Sequence, residues 1–164
     1  MRIGEGFAGE GPDAAHINVV VGHRDGHVGV AWATALASPS QGHVPFVAVA
    51  RPGVPVVPFT LFVNKAAVSG ERHGLLTWGA AQAGVAAGVA DAHAARAFRG
   101  EDPADLVLIV AVWVDPAADD EEAVHRNNRD ATLRSLTMAA DGGPNLADAL
   151  RAMRDPANPY FRRA

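Results

Sequence analysis

Residues 15–21, 43–50, 59–68 and 105–114 are four stretches dense in Val, Ile, Phe and Thr, the composition and spacing expected of strands. Helical patterns fill the intervals. Residues 28–37 form a short apolar helix, residues 78–98 a longer one rich in alanine, and residues 119–140 a third. The third has the clearest ends: Asp119, Asp120, Glu121 and Glu122 place negative charge at its start, and Gly142-Gly143-Pro144 stops it. A last short helix covers residues 146–153. The segment RPGVPVVP, residues 51–58, has three prolines and predicts an extended connection rather than a tight hairpin.

Strands and helices mixed in 164 residues predict a single domain over residues 1–164, with residues 155–164 as a C-terminal tail. The fold class is α/β, an α+β two-layer sandwich with helices on one face of one sheet. The other sheet face then needs cover, and a sister subunit supplies it most simply, so a homo-oligomer is expected.

Composition narrows the chemistry. The chain is 49% hydrophobic and 20% charged, enough for a core that needs no staples. With no cysteine there is no disulfide, thiolate nucleophile, zinc ribbon or iron–sulfur cluster. The longest apolar run, residues 106–114, is too short to cross a bilayer, and the first residues lack a secretory pattern, so a cytoplasmic protein without a membrane partner is expected. A net charge of −4, without a basic stripe, argues against nucleic acid.

GEGFAG, residues 4–9, formally matches G-x-G-x-x-G. No strand is predicted before it, and Gly11-Pro12 stands where a helix would begin, so it reads as a flexible glycine-rich strand rather than a nucleotide loop. In HRDGH, His23 and His27 have metal-ligand spacing, but Asp25-Gly26 between them is a turn signal and no third ligand lies nearby. No metal is expected, and His73, His93 and His125 form no cluster either.

The polar residues inside strands carry more information. Period-2 alternation puts His16, Asn18 and Val20 on one face of their strand, opposite Ile17, Val19 and Val21. It also groups Leu61, Val63, Lys65 and Ala67 opposite Thr60, Phe62 and Asn64. An unpaired buried ammonium costs several kcal/mol, so Lys65 is either an edge-strand guard or part of a site. Gln82 shares a helix face with Trp78 and Val85, as a boundary residue would. From the residues alone, His16 and Lys65 offer acid/base work or stabilisation of an anion, and the reaction stays open.

AHINVVVG, TLFVNK and WGAAQAGVA, together with DLVLIVAVWVDPAADDE, resemble segments of the formaldehyde-activating enzyme family, which has AHIDLIIG, TLMFNK, FGPAQHGVA and DLYVLVGVFIHWEAADD. The resemblance implies a domain like ribosomal protein S5 domain 2, with a mixed sheet, assembled as a homopentamer with sites between neighbours. It implies condensation of formaldehyde with a reduced pterin, tetrahydromethanopterin, to the methylene-pterin and water. The pterin is a co-substrate, and no tightly bound cofactor is implied. His16 would be the general acid; Asn18, Val47, Lys65, Ala67 and Gln82 would contact substrate. Asn18 stands where the family has aspartate, which removes a negative charge beside the imidazole. Ala67 replaces a threonine, Ala83 a histidine and Val47 a leucine. These departures leave a second reading open, a pterin- or aldehyde-binding or sensing homologue without turnover.

Overall fold

The computed structural model describes residues 1–159. Its main sheet contains β1 (Arg2–Ala8), β2 (Ala15–His23), β3 (Phe46–Val47), β6 (Phe59–Asn64) and β7 (Leu106–Trp113), in the order β1-β2-β7-β6-β3. Only the β6–β7 pair is parallel, so the sheet is mixed. One face of it is the core. There β2 contributes Ile17, Val19 and Val21, β6 contributes Phe62, and β7 contributes Leu106, Leu108, Val110 and Val112, all essentially inaccessible to water. The alternation expected for β2 therefore holds residue by residue, and burial of these branched side chains is the main apolar contribution to stability.

Two long helices cover that face, α3 (Gln82–Ala94) and α4 (Glu121–Ala140). Asp120 caps α4 by accepting from the Ala123 amide at 3.0 Å, and Asp13 accepts from the Asp119 and Asp120 amides at 3.0 and 3.1 Å. The acidic start and the glycine stop are as expected. Glycines set how closely α4 is approached from both sides. A Cβ on Gly4 would fall 1.8 Å from the Ser135 carbonyl oxygen, and one on Gly6 would fall 2.1 Å from that of Ala131. From the α3 side, Gly84 and Gly88 meet the His125 and Arg129 carbonyls in the same manner. Arg129 closes the α3–α4 contact with two bonds to Asp91 and holds that carboxyl below the usual carboxylate range.

Several expectations need correction. The glycine-rich start is a strand as expected, but packed rather than flexible: β1 is pinned to β2 over seven register pairs, because Gly4 and Gly6 are the residues that let it lie against a helix backbone. Residues 51–58 do hold a tight hairpin: β4 (Val49–Arg51) pairs with β5 (Val54–Pro55) around Pro52-Gly53. Gly53 has φ +80°, the third-position geometry of a turn whose second position favours proline. The predicted strand over 43–50 is split at Ala48 into β3 and β4. The one over 59–68 stops at Asn64, whose Nδ2 donates to the carbonyls of Gly42 and Ala66 and turns the chain aside.

The helix expected over 78–98 starts earlier and ends sooner. It begins as α2 (Gly70–Leu75), passes through a π-helical turn (Leu76–Ala81), and continues as α3. Buried His73 anchors its first turn, accepting from the Ser69 amide and donating to the Val114 carbonyl, each at 3.0 Å. Finally, the helices do not all share one face. The short helix α1 (His27–Ala37) lies over the other side of β2, where Gly22 leaves room for Val28. The remaining helix, α5 (Leu146–Ala152), is capped by Asn145.

Candidate active site

The sheet face opposite α3 and α4 carries the polar residues singled out above. His16 and Asn18 project from β2 on this face, and the register sets Phe7 and Glu5 of β1 directly opposite them. His16 Nε2 lies 2.8 Å from Glu5 Oε1, and its ring stacks on Phe7 with centroids 3.9 Å apart and planes 14° apart. On the other flank, Trp113 of β7 is the register partner of His16. The imidazole is thereby fixed by a carboxylate at one nitrogen and an aromatic ring on its face.

Lys65 follows β6, and its amide still donates to the Val112 carbonyl at 2.8 Å, so its side chain emerges on this same face. Its Nζ reaches across β7 to donate to Asn18 Oδ1. Ala111, the β7 partner of both Asn18 and Val63, is the small residue that the long side chain crosses. Burial pushes the Lys65 ammonium below the usual lysine range, and the nearby Glu5 carboxylate opposes that shift. Glu5 thus bonds to one member of the site and acts through space on another.

The sign of the lysine shift gives a test. A lysine whose folded pKa is lowered costs stability while it is buried charged, and the cost disappears as pH rises through its folded value toward 10.5. Lys65→Met is therefore expected to melt above the wild type at neutral pH. The gap should narrow as the pH is raised, measured by calorimetry across the alkaline range.

Of the other expected residues, Val47 lies on the same face, paired with Leu61 at the far edge of the sheet. Ala67 is exposed and touches the Gly42 loop. Gln82 is on the helix side, 8% exposed, donating to the Val49 carbonyl at 3.0 Å. The chain therefore brings His16, Asn18 and Lys65 together and leaves Gln82 on the other layer. Glu5 is the residue that sequence reasoning missed. Its signal was the period-2 pattern of RIGEGFA, which places Glu5 and Phe7 opposite the two glycines. Among the described residues, no three His, Asp or Glu side chains converge as a metal site.

Chemically, the arrangement specifies one proton-exchanging nitrogen. Glu5 accepts from Nε2–H, so the neutral ring keeps that proton, and Nδ1 is the position that gives or takes one.

Comparison with known proteins agrees with the resemblance. A 5,6,7,8-tetrahydromethanopterin hydro-lyase from Methanosarcina barkeri is 38% identical over 159 residues, 97% of this chain and 89% of that protein. Two proteins named bifunctional enzyme Fae/Hps, from Methanococcoides burtonii and Methanosphaera stadtmanae, are each 39% identical, and this chain spans 38% of the length of each. The family model described as formaldehyde-activating enzyme (Fae) matches residues 3–161. With that match over nearly its whole length, the chain belongs to the formaldehyde-activating enzyme family.

Proposed function

We propose that this chain is a hydro-lyase that condenses formaldehyde with tetrahydromethanopterin, giving methylene-tetrahydromethanopterin and water, with His16 as general acid. The observation that carries the proposal is the His16 ring held between Glu5 and Phe7, in a chain similar to a named tetrahydromethanopterin hydro-lyase. A pterin nitrogen adds to formaldehyde and forms a hydroxymethyl adduct. Hydroxide leaves poorly, so the Nδ1 proton of a protonated His16 departs with it as water, while the Nε2 proton stays on the ring and donates to Glu5. The second pterin nitrogen closes on the iminium and loses its proton. Holding the two nitrogens and the adduct in one geometry supplies much of the remaining acceleration.

In this reading Asn18, Val47, Lys65, Ala67 and Gln82 contact the pterin. Gln82 belongs to the helix layer and His16 to the opposite sheet face, which is accounted for if the Gln82 edge of one subunit meets the His16 face of a neighbour. A cytoplasmic homopentamer of domains like ribosomal protein S5 domain 2, each with its C-terminal tail, satisfies that requirement. The half-exposed apolar side chains of Ile3, Phe59, Leu75 and Trp78 support such an assembly. Sedimentation equilibrium should return five times the chain mass, and a monomer would overturn the pentamer.

The decisive assay is methylene-tetrahydromethanopterin formation against the buffer rate. Acceleration is expected; equality with buffer overturns the enzyme reading. Asn18, in place of a charged residue, favours a second reading, a module that binds pterin or aldehyde without turnover. That reading expects a raised melting midpoint with reduced pterin and no acceleration.

A further inference from the structure

We propose that Lys65 is a catalytic nucleophile, which captures formaldehyde on Nζ and hands the one-carbon unit to the pterin, with Asn18 as the neutral partner that leaves the amine free to do so. The inference rests on the formaldehyde reading above and changes its first step: formaldehyde adds to Nζ before it meets the pterin, rather than adding to a pterin nitrogen directly.

The first observation is the inventory of nucleophiles. Formaldehyde adds readily to primary amines and thiols, whereas a guanidinium, always protonated, is a poor target. The chain has thirteen arginines, one lysine and no cysteine. Apart from the chain's N-terminal amine, Lys65 is the only primary amine in the sequence, and it stands beside His16 on the proposed reaction face. Everywhere else the protein meets its positive-charge needs with the side chain that formaldehyde leaves alone.

The second observation is the partner. The Lys65 amine donates to an amide oxygen, not to a carboxylate. An Asn acceptor orients Nζ without holding the proton on it as an ion pair would. Burial acts in the same direction, and desolvation of a lysine is a recognised route to an amine nucleophile. Glu5, the carboxylate that acts on Lys65, has its own short bond to His16.

The steps balance. Neutral Nζ attacks the carbonyl carbon, a C–N bond forms, and the π pair moves to oxygen, which takes a proton as nitrogen gives one up. The carbinolamine then loses its hydroxyl as water with a proton from His16, leaving a methylene iminium on Nζ. The first pterin nitrogen adds to that carbon and loses its proton. Nζ departs with its electron pair, aided by a proton, and the second pterin nitrogen closes the ring and loses its own proton, which restores the one His16 gave. The sum is formaldehyde plus pterin to methylene-pterin plus water, with Lys65 regenerated.

The test uses the full chain with isotopically labelled formaldehyde and cyanoborohydride near neutral pH, with peptide mass spectrometry to locate added methyl groups. The N-terminal amine is the internal standard. Lys65 is expected to label faster in the folded protein than in the guanidinium-unfolded chain, relative to that standard. Asn18→Asp, which supplies the ion pair, should slow Lys65 labelling and leave the N-terminus unchanged. Without reductant, added tetrahydromethanopterin should remove the label from Lys65 into the methylene-pterin. Lys65→Arg keeps the charge and the donors and cannot form the adduct, so kcat should fall about a hundredfold with KM little changed.

Acceleration that survives Lys65→Arg, or acceleration by a wild type whose folded-state labelling is no faster than unfolded, overturns the nucleophile and leaves the proposed function standing. Fast labelling without pterin-dependent acceleration supports capture and overturns the condensation. No acceleration and no preferential labelling overturns both.

Discussion

Replacing His16 by alanine is expected to lower the enzymatic component of methylene-pterin formation by about 10²- to 10⁴-fold, the range for loss of a positioned general acid. The fall should appear in kcat, because the proton is needed only when the C–O bond breaks. Phe7 and Glu5 would each lose a partner, but both are on the surface side of the sheet, so the variant should fold and melt close to the wild type. Glu5→Gln should fall between the two, since an amide still accepts from Nε2–H yet can flip and offer a donor instead. The buffer rate must be subtracted at each substrate concentration. A variant at His16 that keeps the full excess rate would move the acid elsewhere and leave the Glu5–His16 bond a surface pair of little consequence.

The second large effect lies on the other side of the sheet. Gly4→Ala is expected to destabilise the fold by about 3 kcal/mol, at the upper end for an overpacked site, because its methyl would meet the Ser135 carbonyl at 1.8 Å. In a chain this long that is a fall of about 6 to 12 °C in melting midpoint. The clash is with a helix backbone hydrogen-bonded along its length, so relief requires β1 and α4 to separate. Gly79→Ala is the matching control: nothing lies within 4 Å of its added Cβ and its backbone is ordinary, so the midpoint should not fall. Equal melting of Gly4→Ala and wild type would mean that β1 is not held against α4.

How far the sequence could be read depended on what each residue contributes to a pattern. In β2 and β7 branched apolar side chains alternate or run together, and in α4 the acidic start and paired glycines mark the ends, so these elements were legible. In β1 the core-facing positions include Gly4 and Gly6. Glycine adds nothing to a hydropathy alternation, so a packed strand looked like a flexible one. The Pro52-Gly53 turn is hidden by the prolines around it, whose missing donors argue against paired strands even though Pro-Gly suits the turn itself. Gly70 and Gly74 likewise masked the early start of the helix that His73 anchors.

The same physics divides the site. His16, Asn18 and Lys65 could be grouped because each interrupts an apolar strand at a matching phase, and the register then joins them across β7. Glu5 could not, since the glycines on either side of it hide which way its strand faces and what it pairs with. Asn18 removes one negative charge from beside the imidazole, and Glu5 supplies a carboxylate from the neighbouring strand. The position of Gln82 depends on which layer its helix covers, a fact of tertiary packing that local spacing does not contain.

The glycine contacts of β1 have a further consequence for how the reaction face holds its shape. Glu5 sits between Gly4 and Gly6 and points the opposite way, so the height of its carboxylate above the sheet is set by how deeply its two neighbours seat against α4. The strand behaves as a thin plate gauged from behind: thickening the rear by one methyl lifts the front. Substitutions buried among the helices, far from any ligand, would then detune the imidazole's partner before they unfold the protein.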